Sequence, residues 1–135
     1  MSPAQIDKAG LIKYRLEQAR ATLRDAYSIY KNKGTPVSIV NRAYYSMFYA
    51  ALAVLITIDR GSSKHMGVIA IFDEQFVKTK YFPREMSKML HQAFEARQQG
   101  DYRDASKITI EKAGKVLESA DEFITIVEEK LKDNA

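Results

Sequence analysis

The chain contains no cysteine, which excludes a disulfide framework, a thiolate nucleophile and a cysteine-based zinc site. Histidine is scarce as well. His65 and His91 stand far apart, and no cluster of carboxylates lies at ligand spacing, so no metal site is expected. Gly34, Gly61, Gly67 and Gly100 each stand alone, without the glycine-rich loop that cradles phosphate in nucleotide-binding folds. The first residues, MSPAQIDKAG, lack the apolar core of a signal peptide. The longest uncharged run, Ala43–Ile58, has sixteen residues, short of the roughly 20 that a spanning helix needs. No repeat, low-complexity tract or strand-period alternation is present. These absences point to a non-membrane protein of the cytoplasm that needs no cofactor.

What is there is globular. Of 135 residues, 46% are apolar and 28% charged, enough to bury one good core, and the expectation is a single domain over 1–135 with about 4–132 ordered. A net charge of +4 permits an anionic partner without demanding one.

The apolar residues fall at helical spacing throughout. Ile12, Leu16, Ala19, Leu23, Ala26 and Tyr30 mark a first helix from about Ala4 to Lys31. In NKGTP, Gly34 suits a helix end, Thr35 a cap and Pro36 a first turn, which opens a second helix running to about Ile58. A third begins near Ser63 and carries Val68, Ile71, Phe72 and Phe76 until Pro83 breaks it. A short fourth reaches about Gln99, where Gly100 reads as a stop and Asp101 as the cap of a last helix, Tyr102 to Lys132. That last helix places Ala105, Ile108, Ala113, Val116, Ala120, Phe123 and Val127 on one side. Long helices joined by short loops predict an all-α fold, an antiparallel up-and-down bundle of four long helices plus a short one.

The second helix divides by angle at roughly 100° per residue. Val40, Tyr44, Phe48, Ala51 and Leu55 form a core stripe, while Arg42, Tyr45, Ser46, Tyr49 and Ala53 form another on nearly the opposite side. The second stripe holds one fixed cation and three hydroxyls. Arg42 there either extends to water or an acidic neighbour, as arginines near helix starts do, or serves chemistry.

Three segments carry a resemblance. NRAYYSMFYAALAVL, then KHMGVIAIFDEQFVKTKYFP, then ARQQGDYRDASKITIEKAGKVLESADEFI together resemble the HEPN domain family, in order and spacing, from about Lys13 to Phe123. The resemblance implies a helical bundle that forms a two-fold homodimer. It also implies a toxin-type partner of a minimal nucleotidyltransferase antitoxin, and metal-independent endoribonuclease activity in members with an Arg, four to six residues, then a His. Arg42 takes the Arg position. Where relatives of this subgroup often read RAYYAMFH, this chain has Tyr49 in place of the His. Seven positions is nearly two turns, so Arg42 and Tyr49 share a face. Histidine suits proton transfer near neutrality, whereas tyrosine, with a pKa of ~10, is a poor base at pH 7. The expected function is therefore RNA or nucleotide binding with a degenerate ribonuclease motif. The alternative is an active endoribonuclease using Arg42 with Tyr49 or His65. In some pairs of this kind the partner adds nucleotides to a HEPN tyrosine, for which Tyr45 and Tyr49 would be the candidates.

Arg42 and Tyr49 are thus the catalytic candidates, and Arg42, Tyr45, Ser46, Lys64 and His65 the phosphate-binding ones. Lys64 and His65 sit at the expected start of the third helix, where exposed backbone N–H groups favour anions, and a surface or capping role is their alternative. His91 reads as an ordinary helix-surface residue. Lys78, Lys80, Arg84 and Lys88, with aromatics between them, suit a nucleic-acid surface or a solvated helix junction.

Overall fold

The computed structural model describes residues 3–132, with side chains from Asp7 onward. Met1, Ser2 and residues 133–135, assigned by the sequence to the same domain, lie outside the described residues. Five α-helices follow one another: α1 Pro3–Lys31, α2 Pro36–Ile56, α3 His65–Phe72, α4 Arg84–Tyr102 and α5 Ile110–Lys132. No strand occurs among the described residues.

Helix α2 is the centre of the bundle. It packs most extensively on α1, then on α5 and α4. Thr35 caps it by accepting from the Ser38 amide at 3.3 Å, with Pro36 in the first turn, as its sequence predicts. By length and composition Pro36–Ile56 could cross a membrane, but 67% of its most apolar window is buried inside the bundle. Val40, Tyr44, Ala51 and Leu55 are closed to solvent, and Phe48 nearly so. Its apolar surface therefore covers the domain's own core.

Gly34 stands at the end of α1 as expected, its amide donating to the Ile29 carbonyl at 2.7 Å, and the left-handed residue beside it is Lys33, at φ 60°. Gly34 is there for space, because a Cβ would collide with the Ile29 side chain. Gly100 does not stop a helix. Helix α4 runs through it for 19 residues, so the short helix is α3, not α4. An interior glycine costs about 1 kcal/mol relative to alanine, but here a Cβ would stand 3.3 Å from both Val37 methyls, so its absence lets α4 approach the start of α2. Asp101 therefore caps nothing. Asp104 instead accepts from the Ser106 amide at 3.1 Å and opens a 3-10 turn, Ala105–Lys107. Thr109 then accepts from the Lys112 amide at 3.1 Å, and α5 starts at Ile110 rather than Tyr102. Ala105 is exposed, whereas Ile108 is buried from an extended segment.

The third helix ends in one π-helical turn, Asp73–Val77. Phe72, Phe76 and Phe82 pack there, with ring centres 5.6–6.2 Å apart. Asp73, in the same turn, accepts from His91 Nε2 of α4 at 2.6 Å. His91 thus has a defined partner that its surface position alone does not suggest.

Candidate functional site

Small side chains form one buried line on α2: Ala43, Ser46, Ala50 and Ala53 are fully closed to solvent. Ser46 donates to the Ala43 carbonyl at 2.6 Å. This corrects the expected second stripe, since a buried hydroxyl already engaged by its own helix has no reach to a ligand. The partly exposed line lies to one side of it and runs through Arg42, Tyr45, Tyr49, Leu52 and Ile56.

Tyr45 is the hub of that line. The Arg42 guanidinium carbon stands 5.2 Å from its ring centre and that of Arg97, from α4, stands 5.3 Å away. The His65 ring meets it edge-on at 5.6 Å, and Tyr49 lies at 6.0 Å. Two cations and an imidazole from three helices thus gather around one aromatic ring, within the distances at which a ring quadrupole attracts a guanidinium.

A polar chain ties the arginines together. Arg42 donates from Nε and Nη2 to Asn41 Oδ1 at 3.1 and 2.9 Å. Asn41 donates from Nδ2 to Asp101 Oδ2 at 3.3 Å, and Arg97 Nε donates to the same oxygen at 3.1 Å. Arg97 Nη2 donates to the Tyr102 hydroxyl at 3.2 Å. Asp101 already balances the charge of Arg97, whereas among the described residues no carboxylate pairs with Arg42, which has the Asn41 amide oxygen and the Tyr45 ring. Beside Arg42, an open recess of about 390 Å³ is lined by Ile29, Val37, Ser38, Asn41 and Asp101. A cation with only neutral partners, next to open volume, is placed to take an anion.

His65 sits between the helices. Its Nδ1 lies 2.8 Å from the hydroxyl of buried Tyr44, and its ring stacks on Phe48 at 4.2 Å. Burial lowers its pKa, and the positive charge of Arg97 lowers it further. Burial likewise raises the pKa of the Tyr44 phenol. Lys64 is exposed, immediately before α3, and its side chain touches no member of this cluster among the described residues. The Tyr49 hydroxyl has no hydrogen-bond partner among the described residues. Tyr49 and Arg42 are separated along the axis by about 10 Å, seven residues of helical rise.

Asn41, Tyr44, Arg97, Asp101 and Tyr102 were not identified as site residues by the sequence. The i,i+4 spacing of Arg97 and Asp101 in ARQQGDY is the available signal, hidden by Gly100, which reads locally as a helix stop between them. Among the described residues, no three side chains of metal-binding type stand together.

The HEPN domain family profile matches residues 12–130. The chain belongs to the HEPN domain family. A UPF0332 protein of Thermotoga maritima is 35% identical over 94% of this chain and 96% of its own length. Two proteins of Methanocaldococcus jannaschii carry the name "Putative toxin". One is 31% identical over 81% of this chain and 74% of its own length, the other 30% identical over 87% of each. The HEPN match includes Arg42, Tyr45, His65 and Arg97.

Proposed function

We propose that this HEPN protein binds phosphate groups of RNA or nucleotides at Arg42, as the toxin-type partner of a minimal nucleotidyltransferase, with the proton-transfer half of a ribonuclease motif missing. The carrying observation is the convergence of Arg42, Arg97 and His65 on Tyr45, with Arg42 also lining an open recess and tyrosine at the motif's histidine position. Arg42 supplies a planar, always charged fork for phosphate oxygens. The relatives that carry a toxin's name support the toxin-type assignment.

The acting unit in this reading is a two-fold homodimer. Tyr45, Tyr49, Leu52 and Ile56 leave aromatic and aliphatic surface partly uncovered along α2. A two-fold axis beside that line would bring two Arg42–Tyr49 faces into one composite cleft. Light scattering at micromolar concentration tests this, and a monomeric mass would refute it.

A second reading, a metal-independent endoribonuclease, is favoured by one observation: His65 stands next to the Tyr45 hub, where it could replace the missing motif histidine. The deciding experiment measures binding and cleavage of single-stranded RNA by the purified protein, with and without EDTA. Binding without cleavage supports the binding reading. Cleavage that survives EDTA and is lost in His65→Ala supports the enzyme.

A further inference from the structure

The one buried phenol in the cluster decides what His65 does. Tyr44 is fully closed to solvent, and its hydroxyl has one partner among the described residues, His65 Nδ1 at 2.8 Å. A buried hydroxyl hydrogen without an acceptor carries its full desolvation cost. The burial that raises the Tyr44 pKa also keeps the phenol protonated, so it has a hydrogen to place. Only Nδ1 can take it. We propose that Tyr44 donates to His65 Nδ1 and fixes the imidazole as its neutral, Nε2-protonated tautomer, a directed hydrogen-bond donor to a phosphate oxygen rather than an acid or a base.

The remaining geometry supports this assignment. Nearly parallel stacking on Phe48, at 17° between planes, holds the ring in one orientation. Turning it over would exchange a carbon for Nδ1 and break the bond to Tyr44. Among the described residues Nε2 has no partner, and the only fully closed side-chain polar atom without one is Asp73 Oδ1, so Nε2 is not sealed off from solvent. Its N–H belongs to a ring already beside Tyr45, the ring shared by Arg42 and Arg97.

Protonation is opposed from each helix that packs on the ring. Arg97 of α4 adds positive charge, and its carboxylate partner Asp101 is engaged by Arg97 and Asn41. From α2 come Tyr44, whose phenol burial keeps protonated, the edge of the Tyr45 ring, and the apolar Phe48. Within its own segment His65 follows Lys64, a second cation. A proton on Nδ1 would also point at the Tyr44 oxygen and force the phenolic hydrogen away from its one acceptor. The lowered His65 pKa agrees with this arrangement. A neutral imidazole whose Nδ1 is occupied has no lone pair for a 2′-hydroxyl proton and no readily lost proton for a leaving oxygen. Tyr44 is then a positioning residue that makes His65 a binding group. The donor role rests on the phosphate reading above; the tautomer does not.

Long-range 1H–15N correlation spectra of the full-length protein at pH 7 test both parts, with His91→Gln assigning the two imidazoles. The expected His65 pattern is the neutral Nε2–H tautomer. Tyr44→Phe, which removes only the hydroxyl, should release a mixture of tautomers. An Nδ1–H tautomer or an imidazolium in the wild type overturns the proposal, and that spectrum decides even if Tyr44→Phe does not fold. Titration with inorganic phosphate should move the His65 Nε2 signals, and His65→Ala should weaken phosphate affinity about tenfold, the loss of one hydrogen bond to a charged group. If phosphate shifts the Arg42 side-chain signals and leaves Nε2 unmoved, the donor role is overturned and the Arg42 reading survives. If phosphate moves neither, the Arg42 reading fails together with the donor role.

Discussion

Arg97 and Asp101, one turn apart at the end of α4, form an ion pair at 3.1 Å whose side chains are only 12% and 21% exposed. Asp101 also receives Asn41, so the pair joins α4 to the start of α2. Removing one partner of such a pair leaves the other charge without compensation in a poorly solvated place. Asp101→Ala should therefore lower stability by about 2–3 kcal/mol, slightly under the range for fully buried pairs because some water reaches this one. Asp101→Ala combined with Arg97→Met should recover part of the loss. Urea unfolding of the three proteins checks it, and equal stability of single variant and wild type would show the pair to be energetically idle.

Arg42→Ala should leave folding stability within about 1 kcal/mol, because its guanidinium hydrogen-bonds only the adjacent Asn41 amide among the described residues and otherwise touches the partly exposed Tyr45 ring. Its loss should weaken RNA binding by more than that, as expected for a charge-assisted contact. Arg42→Lys should restore binding only in part, since an ammonium lacks the planar fork. Fluorescence anisotropy with a labelled oligonucleotide, paired with thermal unfolding, separates the two effects. A large fall in Tm with unchanged affinity would make Arg42 structural.

Tyr49→His rebuilds the arginine and histidine pair on a face already spaced for it. The variant should gain RNA cleavage that EDTA does not suppress, while the wild type cleaves little. Gel assays on a single-stranded substrate read this directly. A folded, dimeric Tyr49→His protein without activity would mean that the missing histidine is not what limits cleavage.

The lowered His65 pKa makes a pH prediction with a definite sign. The unfolded chain takes up the proton near pH 6.5, whereas the folded protein does so only at lower pH. Between those values the unfolded state binds more protons, so stability falls as the pH drops from about 6.5 through the folded-state value. His65→Gln, which does not titrate, should lose less stability than the wild type between pH 7.5 and 5.5. Paired thermal melts decide it, and parallel losses in both proteins would place the acid sensitivity elsewhere.

The helices were legible because their apolar residues recur at three and four positions, a signal that survives without any knowledge of partners. The boundaries between α4 and α5 were not, because Gly100 reads locally as a stop and only the approach of Val37 explains a glycine inside the helix. Arg42, Tyr45 and His65 were found by type and position, and they do meet. Ser46 was misread because helical angle locates a face but does not reveal that this flank is closed to solvent. The bond from Tyr44 to His65 joins positions 21 apart, and Asn41 reaches Asp101 across 60. Neither leaves a local pattern, since both depend on where α3 and α4 dock on α2.

The crowding of aromatic rings around Tyr45 also gives the protein an optical property. The chain has eight tyrosines and no tryptophan, so its intrinsic emission comes from phenol rings alone. Four of the eight, Tyr44, Tyr45, Tyr49 and Tyr102, lie in this cluster, two of them 5.3 Å apart, three of them under the guanidinium of Arg97 and the fourth, Tyr49, beside one of those three. Excitation energy passes readily between rings at such spacing, and a neighbouring guanidinium or imidazole perturbs each emitter. A ligand that draws Arg97 away would change the surroundings of Tyr44, Tyr45 and Tyr102 at once, and one that draws Arg42 away would change Tyr45, giving a label-free readout of occupancy that needs no engineered probe.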